Sequence, residues 1–458
     1  MPNKPLRTSK QRVILYRVLL YAFFTLCVVI ILLLGLLVAQ TLRMRVAGDE
    51  TVHFVHRHGY YVAQNPFMIE TSFPARKPAG AFRVFLLGGS QAMGTPYVHQ
   101  RRSTAGLFSL LSLPNRGGIA TWVKDYLSKL YPERTIEVIN AAKGAQDLGA
   151  SLATLRDIVK IGDADLVIIL SGNNERPSEK LTRKFRLESG YWSEADRLLA
   201  ELSQTFSQNL SACVDLLQAH NIPGYICTVP TNIRDWLPSD ADDAHIQQAK
   251  KLLAEKRYQQ VVDLLSPLTK PGGNALHAYY LAKAWDGLKQ YDRAKTWYIA
   301  AKDADKSFLR ARSPWNNAVR DIPEHPLIRV VDLERLYYRD CRQGLPGLAE
   351  FADYCHLKLP GYQRLALYLS ECMVEDFFSP ADKPRLAAIK LDNILPSQLK
   401  RLYQIKKLKW LRMRYHAQNK QVRDENVRRV MDNFQRDMQE LDIQIQLLKH
   451  TQRELEDR

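Results

Sequence analysis

The sequence predicts an α/β protein built on a parallel sheet with helices on both faces. Three features carry this. Short apolar runs recur along the chain, segments with helical spacing lie between them, and the first run ends abruptly in glycine. Strands alternating with helices imply a parallel sheet covered on both sides. Such sheets place their ligands and reactive groups at the carboxyl ends of the strands.

The strand candidates, in order, are Phe82–Leu87, Thr135–Ile139, Leu166–Leu170, Gly224–Val229 and Ile328–Val331. Ala120–Tyr131 represents the intervening helices, with Trp122, Val123, Tyr126, Leu127 and Leu130 on one face at helical spacing. The chain has 458 residues, enough for one large domain with additions. It is 46% hydrophobic and 25% charged, ordinary for a globular protein. Its net charge of +17 favours anionic partners such as lipid head groups or acidic polymers.

Six regions are expected: 1–42, a short basic stub and membrane anchor; 43–80, a polar connector with Pro66, Pro74 and Pro78; 81–243, the first part of the α/β domain; 244–308, a helical insertion; 309–380, its second part; and 381–458, a basic helical tail. The anchor rests on the uncharged run Val18–Ala39, in which Thr25 is the one clearly polar side chain. About 20 apolar residues span a bilayer core, and the run exceeds the roughly 7–15 residues of a signal-peptide core. Lys4, Arg7, Lys10, Arg12 and Arg17 precede it, against Arg43 and Arg45 behind it. That asymmetry keeps the N-terminus cytoplasmic and puts the rest outside, in a periplasm-like compartment. Nucleic acid is not an expected partner there.

The insertion repeats with a period of 33: Ala249, Leu252, Tyr258, Val261 and Leu265 map onto Ala282, Trp285, Tyr291, Ala294 and Tyr298. This resembles the tetratricopeptide repeat. It offers either a groove for a protein partner or a buttress for the domain. In the tail, Val427, Val430, Phe434, Met438, Leu441, Ile445 and Leu448 step by threes and fours. The pattern suits a coiled-coil seam or a helix lying on its own domain. Residues 400–414 hold seven Lys or Arg and no acid, with Tyr403 and Trp410. That segment suits an anionic lipid surface or a solvated face.

Six cysteines, Cys27, Cys213, Cys227, Cys341, Cys355 and Cys372, are too scattered for a disulfide framework. A Cys341–Cys355 bridge is conceivable, but free thiols are expected. No His/Cys cluster shows metal-ligand spacing, so neither a metal nor an organic cofactor is expected.

Three short blocks carry the chemistry. Gly88-Gly89-Ser90 ends the first strand, Gly172-Asn173-Asn174-Glu175 the third, and Asp353-Tyr354-Cys355-His356 lies near the end of the globular part. Over about residues 82–232 and 308–372 they resemble the SGNH (GDSL-type) hydrolases. Gly-Gly stands for the more usual Gly-Asp, followed by matches to Gly-x-Asn-Asp/Glu and Asp-x-x-His, then Leu-Pro-Gly-Tyr at 359–362. The layout is similar to a membrane-anchored subgroup with an inserted tetratricopeptide-like segment, whose loops Val229–Trp236 and Gly344–Gly347 also resemble.

The resemblance implies an SGNH, flavodoxin-like three-layer fold and a catalytic triad. Ser90 would be the nucleophile, His356 the base and Asp353 the group that orients it. Oxyanion donors would be the Ser90 N–H, the Asn174 amide and a backbone N–H of the second block, Asn140–Gln146. There the register leaves Gly144 or Ala145 as the donor. Lys143 beside them would meet an anionic substrate or water. The expected activity is a serine esterase acting on an acylated envelope glycan or lipid. An O-acyltransferase on the same triad and a non-catalytic membrane-anchored scaffold are the alternatives.

Overall fold

The computed structural model describes residues 53–98, 116–176, 195–392, 394–412 and 420–456, with a few positions between 19 and 28. The chain divides into two units, Met1–Val52 and His53–Arg458, and the second carries both sheets. Among the described residues no helix is long and apolar enough to cross a membrane. Most of the run 18–39 lies outside them.

The second unit opens with an antiparallel sheet, β1 (Phe54–Arg57), β2 (Tyr60–Ala63) and β3 (Ser72–Pro74), where the sequence suggests only a connector. Then come β4 (Phe82–Gly88), α1 (Ser90–Met93), α2 (Ile119–Leu130), β5 (Ile136–Asn140), α3 (Leu148–Ile161), β6 (Leu166–Leu170), α4 (Ala195–Ala219) and β7 (Gly224–Cys227). Four helices follow before the last strand: α5 (Ala244–Ala254), α6 (Tyr258–Leu265), α7 (Ala275–Gly287) and α8 (Tyr291–Ala304). The chain continues through α9 (Ser313–Arg320), β8 (Ile328–Val331), α10 (Leu333–Asp340), α11 (Leu359–Phe377), α12 (Lys383–Ala387), α13 (Pro396–Arg412) and α14 (Lys420–Glu456).

The main sheet is parallel throughout, in the order β5-β4-β6-β7-β8. Strand period 2 explains its layering. In β4, Val84 and Leu86 enter one apolar core together with Trp122, Leu127 and Leu365; Phe85 and Leu87 enter a second with Leu152, Leu155 and Phe206. The result is three layers, with α2 and α11 on one face and α3 and α4 on the other. The strand order changes direction at β4, the place where ligands bind in sheets of this kind. Arg83 ties the small sheet to the large one. Its fully buried guanidinium donates to Glu137 Oε2 (2.6 Å), Gly162 O (2.9 Å) and Pro74 O (3.0 Å), so no donor-rich face is left stranded.

The insertion is a pair of helical hairpins. Tyr258 and Tyr291, 33 residues apart, each open the second helix of a hairpin. Ala282, Ala294 and Ala301 are buried where α7 and α8 meet. Tyr258 presses on Gly287, where any Cβ would collide with its ring.

The tail differs from a free coiled-coil strand. Val430, Phe434, Met438 and Leu441 are buried in the same core as the sheet, with Leu402 and Tyr403 of α13. Tyr403 packs on Phe434 (5.6 Å between ring centres) and bonds the Tyr97 hydroxyl at 2.9 Å. The apolar seam through Leu441 is therefore satisfied within the chain, while Ile443, Leu447 and Leu448 are exposed. The side chains of 405–414 all fall outside what the structure describes. Cys213, Cys227, Cys341, Cys355 and Cys372 remain thiols, so no Cys341–Cys355 bridge forms.

Phe434→Ala should destabilise the protein by about 3–5 kcal/mol, the cost of emptying a buried aromatic site. Urea unfolding measures this. An unchanged midpoint would mean that α14 contributes nothing to the fold.

Candidate active site

The first block is shaped by close approach. Gly88 has φ +141°, and a Cβ there would strike the Leu170 carbonyl; a Cβ on Gly89 would strike the Asn174 amide. Only glycine lets β4 end this tightly against β6. Gly89, not Ser90, occupies the N-cap of α1. The Ser90 hydroxyl is thus not spent on capping; it lies 2.8 Å from His356 Nε2.

Asp353-Tyr354-Cys355-His356 forms a turn closed by the Ala352 N–H to the His356 carbonyl (2.7 Å) and the Phe351–Leu357 bridge. Asp353 Oδ1 accepts the N–H groups of Cys355 (3.1 Å) and His356 (2.9 Å), and Oδ2 lies 2.8 Å from His356 Nδ1. Asp353 is 0% exposed and His356 6%. A buried carboxylate without such donors would be expensive. Here its donors also set the imidazole's direction. Tyr354 meets the His356 ring edge-on at 5.8 Å and packs on Trp236 at 5.2 Å.

The structure thus brings Ser90, His356 and Asp353 together in one hydrogen-bonded line and sets Asn174 beside Gly89. Asn174 Nδ2 donates to the Gln146 carbonyl at 3.0 Å, which holds the amide plane and leaves its second hydrogen. The Ser90 N–H heads a helical turn, where no intrahelical acceptor exists.

The second block places both donor candidates, Gly144 and Ala145, in one turn. The Gly144 N–H is donated to the Phe67 carbonyl (3.1 Å). The left-handed position belongs to Ala145, at φ +62°, a conformation that costs a residue with a Cβ roughly 1–2 kcal/mol. Ala145 is exposed, and its N–H makes no hydrogen bond among the described residues.

Lys143 also departs from expectation. It does not point to water but is buried, with Nζ 3.1 Å from His53 Nε2; His53 Nδ1 lies 2.8 Å from Asp157. This pins the second block from beneath. Glu175 is likewise buried and accepts the Leu148 N–H at the start of α3 (3.0 Å). Burial, then the charge of Asp147, pushes its carboxyl up to about 8.

Several residues that the sequence does not single out hold this arrangement. Gln91 Nε2 donates to the carbonyls of Cys355 (2.8 Å) and Pro230 (3.0 Å), and its Oε1 accepts from Asn173 (3.1 Å). Asn232 Nδ2 donates to the Asp353 carbonyl (3.1 Å), while its own carbonyl accepts from Arg310 (3.0 Å). These contacts span 78 to 264 residues of chain, so no local pattern could announce them. One grouping also goes beyond the sequence reading of no metal-type cluster. Asp353, Cys355 and His356 place a carboxylate oxygen, a thiol and a ring nitrogen within 4.8 Å of one another.

No protein-family model matches the chain, and no curated protein does. Among solved structures it is similar to a lipase from a goat rumen metagenome, at 13% identity, 63% of this chain, 95% of that one and TM-score 0.33. It is similar to a lipase/acylhydrolase from Enterococcus faecalis, at 16% identity, 64% and 95% coverage and TM-score 0.29. A third is a variant of an acetyl-xylooligosaccharide esterase from Geobacillus Stearmophilus, at 12% identity, 68% and 97% coverage and TM-score 0.31.

Glu175 gives a pH prediction. Below its ordinary carboxylate range it is protonated folded or unfolded, and its stability contribution is fully present. As pH rises toward 8 the unfolded chain ionises freely while the folded chain resists, so stability falls by up to roughly 5 kcal/mol. Glu175→Gln removes that slope. The variant's melting temperature relative to the parent should rise between pH 5 and pH 9; a constant difference would refute the buried acid.

Proposed function

We propose that the chain is a serine esterase of the SGNH type, working through an acyl-enzyme on Ser90. The observation that carries this reading is the unbroken line Ser90 Oγ, His356 Nε2, His356 Nδ1, Asp353, with 2.8 Å at each junction. A serine hydroxyl is a poor nucleophile until a base takes its proton. His356 is within reach to take it and to return it to the leaving alcohol. Asp353 fixes the tautomer with Nδ1 protonated and stabilises the imidazolium. The oxyanion that forms on attack meets the Ser90 N–H, the remaining Asn174 amide hydrogen and the Ala145 N–H. Each donor of this kind contributes roughly 10²–10³ in rate.

The substrate class we propose is an acylated cell-envelope molecule, an O-acetylated glycan or a lipid. The +17 charge and the apolar run 18–39, with basic residues massed before it, support a membrane-anchored protein facing anionic polymers. We read the insertion as a buttress. Arg234 pairs with Asp286 of α7 and Lys283 of α7 lies 3.3 Å from Asp235. The helices thereby hold the loop that carries Asn232.

Purified full-length protein should hydrolyse p-nitrophenyl acetate, and Ser90→Ala should reduce kcat at least 10³-fold. Equal turnover by both folded proteins would refute Ser90 as the nucleophile. Asn232→Ala should lower kcat roughly 10- to 100-fold through misplacement of Asp353, with KM within about twofold. A change confined to KM would instead make Asn232 a substrate contact.

A further inference from the structure

We propose that the Asp353–His356 turn is also an inhibitory binding site for a thiophilic divalent cation, with Zn2+ as the best match. Three donor types converge there: a carboxylate oxygen, an imidazole nitrogen and the Cys355 thiol, all within 4.8 Å. Zinc takes this mixture in tetrahedral geometry, with bonds of about 2.0–2.3 Å that set neighbouring ligand atoms roughly 3.3–3.6 Å apart. The cluster closes on an ion by movements of about 1 Å, and oxygen-preferring cations gain nothing from the sulfur.

The turn is already gathered for this. Both backbone N–H groups of Cys355 and His356 bond Asp353 Oδ1, Asn232 holds the Asp353 carbonyl, and Gln91 holds the Cys355 carbonyl. Outer contacts of this kind orient metal ligands and raise affinity. The thiol is what separates this turn from a plain Asp-x-x-His arrangement.

Binding changes the protons in a defined way. The Cys355 thiol gives its proton to solvent, and the single imidazole proton of neutral His356 moves from Nδ1 to Nε2, which frees Nδ1, the thiolate and the Asp353 carboxylate to hold the ion. His356 then carries its one proton on Nε2. In that tautomer Nε2 donates toward Ser90 and no longer accepts its proton, so the nucleophile is silenced with every residue in place. Cys355 is 1% exposed and Asp353 0%. The ion must pass the edge of His356, so onset is slow.

The inhibitory consequence rests on the esterase reading; the binding does not. The full chain is therefore tested twice. Equilibrium dialysis with Zn2+ on the Ser90→Ala variant, with and without Cys355→Ser, measures the site without turnover. The expected result is one tight Zn2+ per chain, weakened at least tenfold by Cys355→Ser. Four described cysteines outside the turn remain as an internal control. The second test follows p-nitrophenyl acetate turnover after Zn2+ addition. Loss should develop over minutes, reverse with EDTA, and need at least tenfold more Zn2+ in Cys355→Ser, whose basal turnover stays within about twofold. Should the serine variant unfold, Cys355→Ala serves in its place, with a melting curve as control. Equal Zn2+ binding with and without Cys355, or none, overturns the site. Absence of turnover in every protein overturns the esterase reading, and dialysis still decides the metal.

Discussion

The site depends on one buried side-chain amide. Gln91 follows the candidate nucleophile directly and joins loops that lie far apart in the chain: it reaches Pro230, Cys355 and Asn173, and Asn173 in turn accepts the Ala311 N–H at 2.8 Å. Each of these groups is buried, and a buried donor or acceptor left without its partner costs about 1–3 kcal/mol. The loops therefore stay in register or lose several bonds together. A 2.8 Å contact between Ser90 and His356, residues separated by 266 positions, is held by this shared constraint more than by its own strength.

A second set of contacts works outward from the same place. Asn232 grips the backbone of Asp353, Arg310 grips Asn232, and the guanidinium of Arg310 is itself paired with Asp305 at 2.9 Å. Arg234 and Asp235, two and three residues on, are clamped to α7. Helix α7 of the insertion is thus tied to the loop that carries Asn232. Beneath the second block, Asp157, His53 and Lys143 form another line of contacts, tying the residue just before β1 to that block.

Much of this was legible in the sequence because it is encoded locally. Five apolar runs mark the five parallel strands to within two residues, and the glycines of Gly88-Gly89-Ser90 mark a turn that only glycine permits. The period of 33 located the paired helices, since each copy must repeat its own packing residues. What was illegible is non-local. Lys143 reads as a solvent cation until His53, 90 residues away, is placed against it. Gly144 looks like the flexible donor, yet the left-handed turn falls on Ala145, because tertiary hydrogen bonding by Phe67 fixes the loop. The heptad-like tail has the same apolar spacing whether it meets a second helix from another chain or its own core, so spacing could not choose between them.

The proposed esterase reading stands on Ser90 being a nucleophile already activated by His356. A fluorophosphonate probe reacts covalently with such a serine and can be mapped by peptide mass spectrometry on the intact full-length protein. The expected result is a single phosphonyl adduct on the peptide carrying Ser90, formed rapidly at neutral pH and lost in His356→Ala. An unlabelled Ser90 in folded protein, or equal labelling with and without His356, would contradict it.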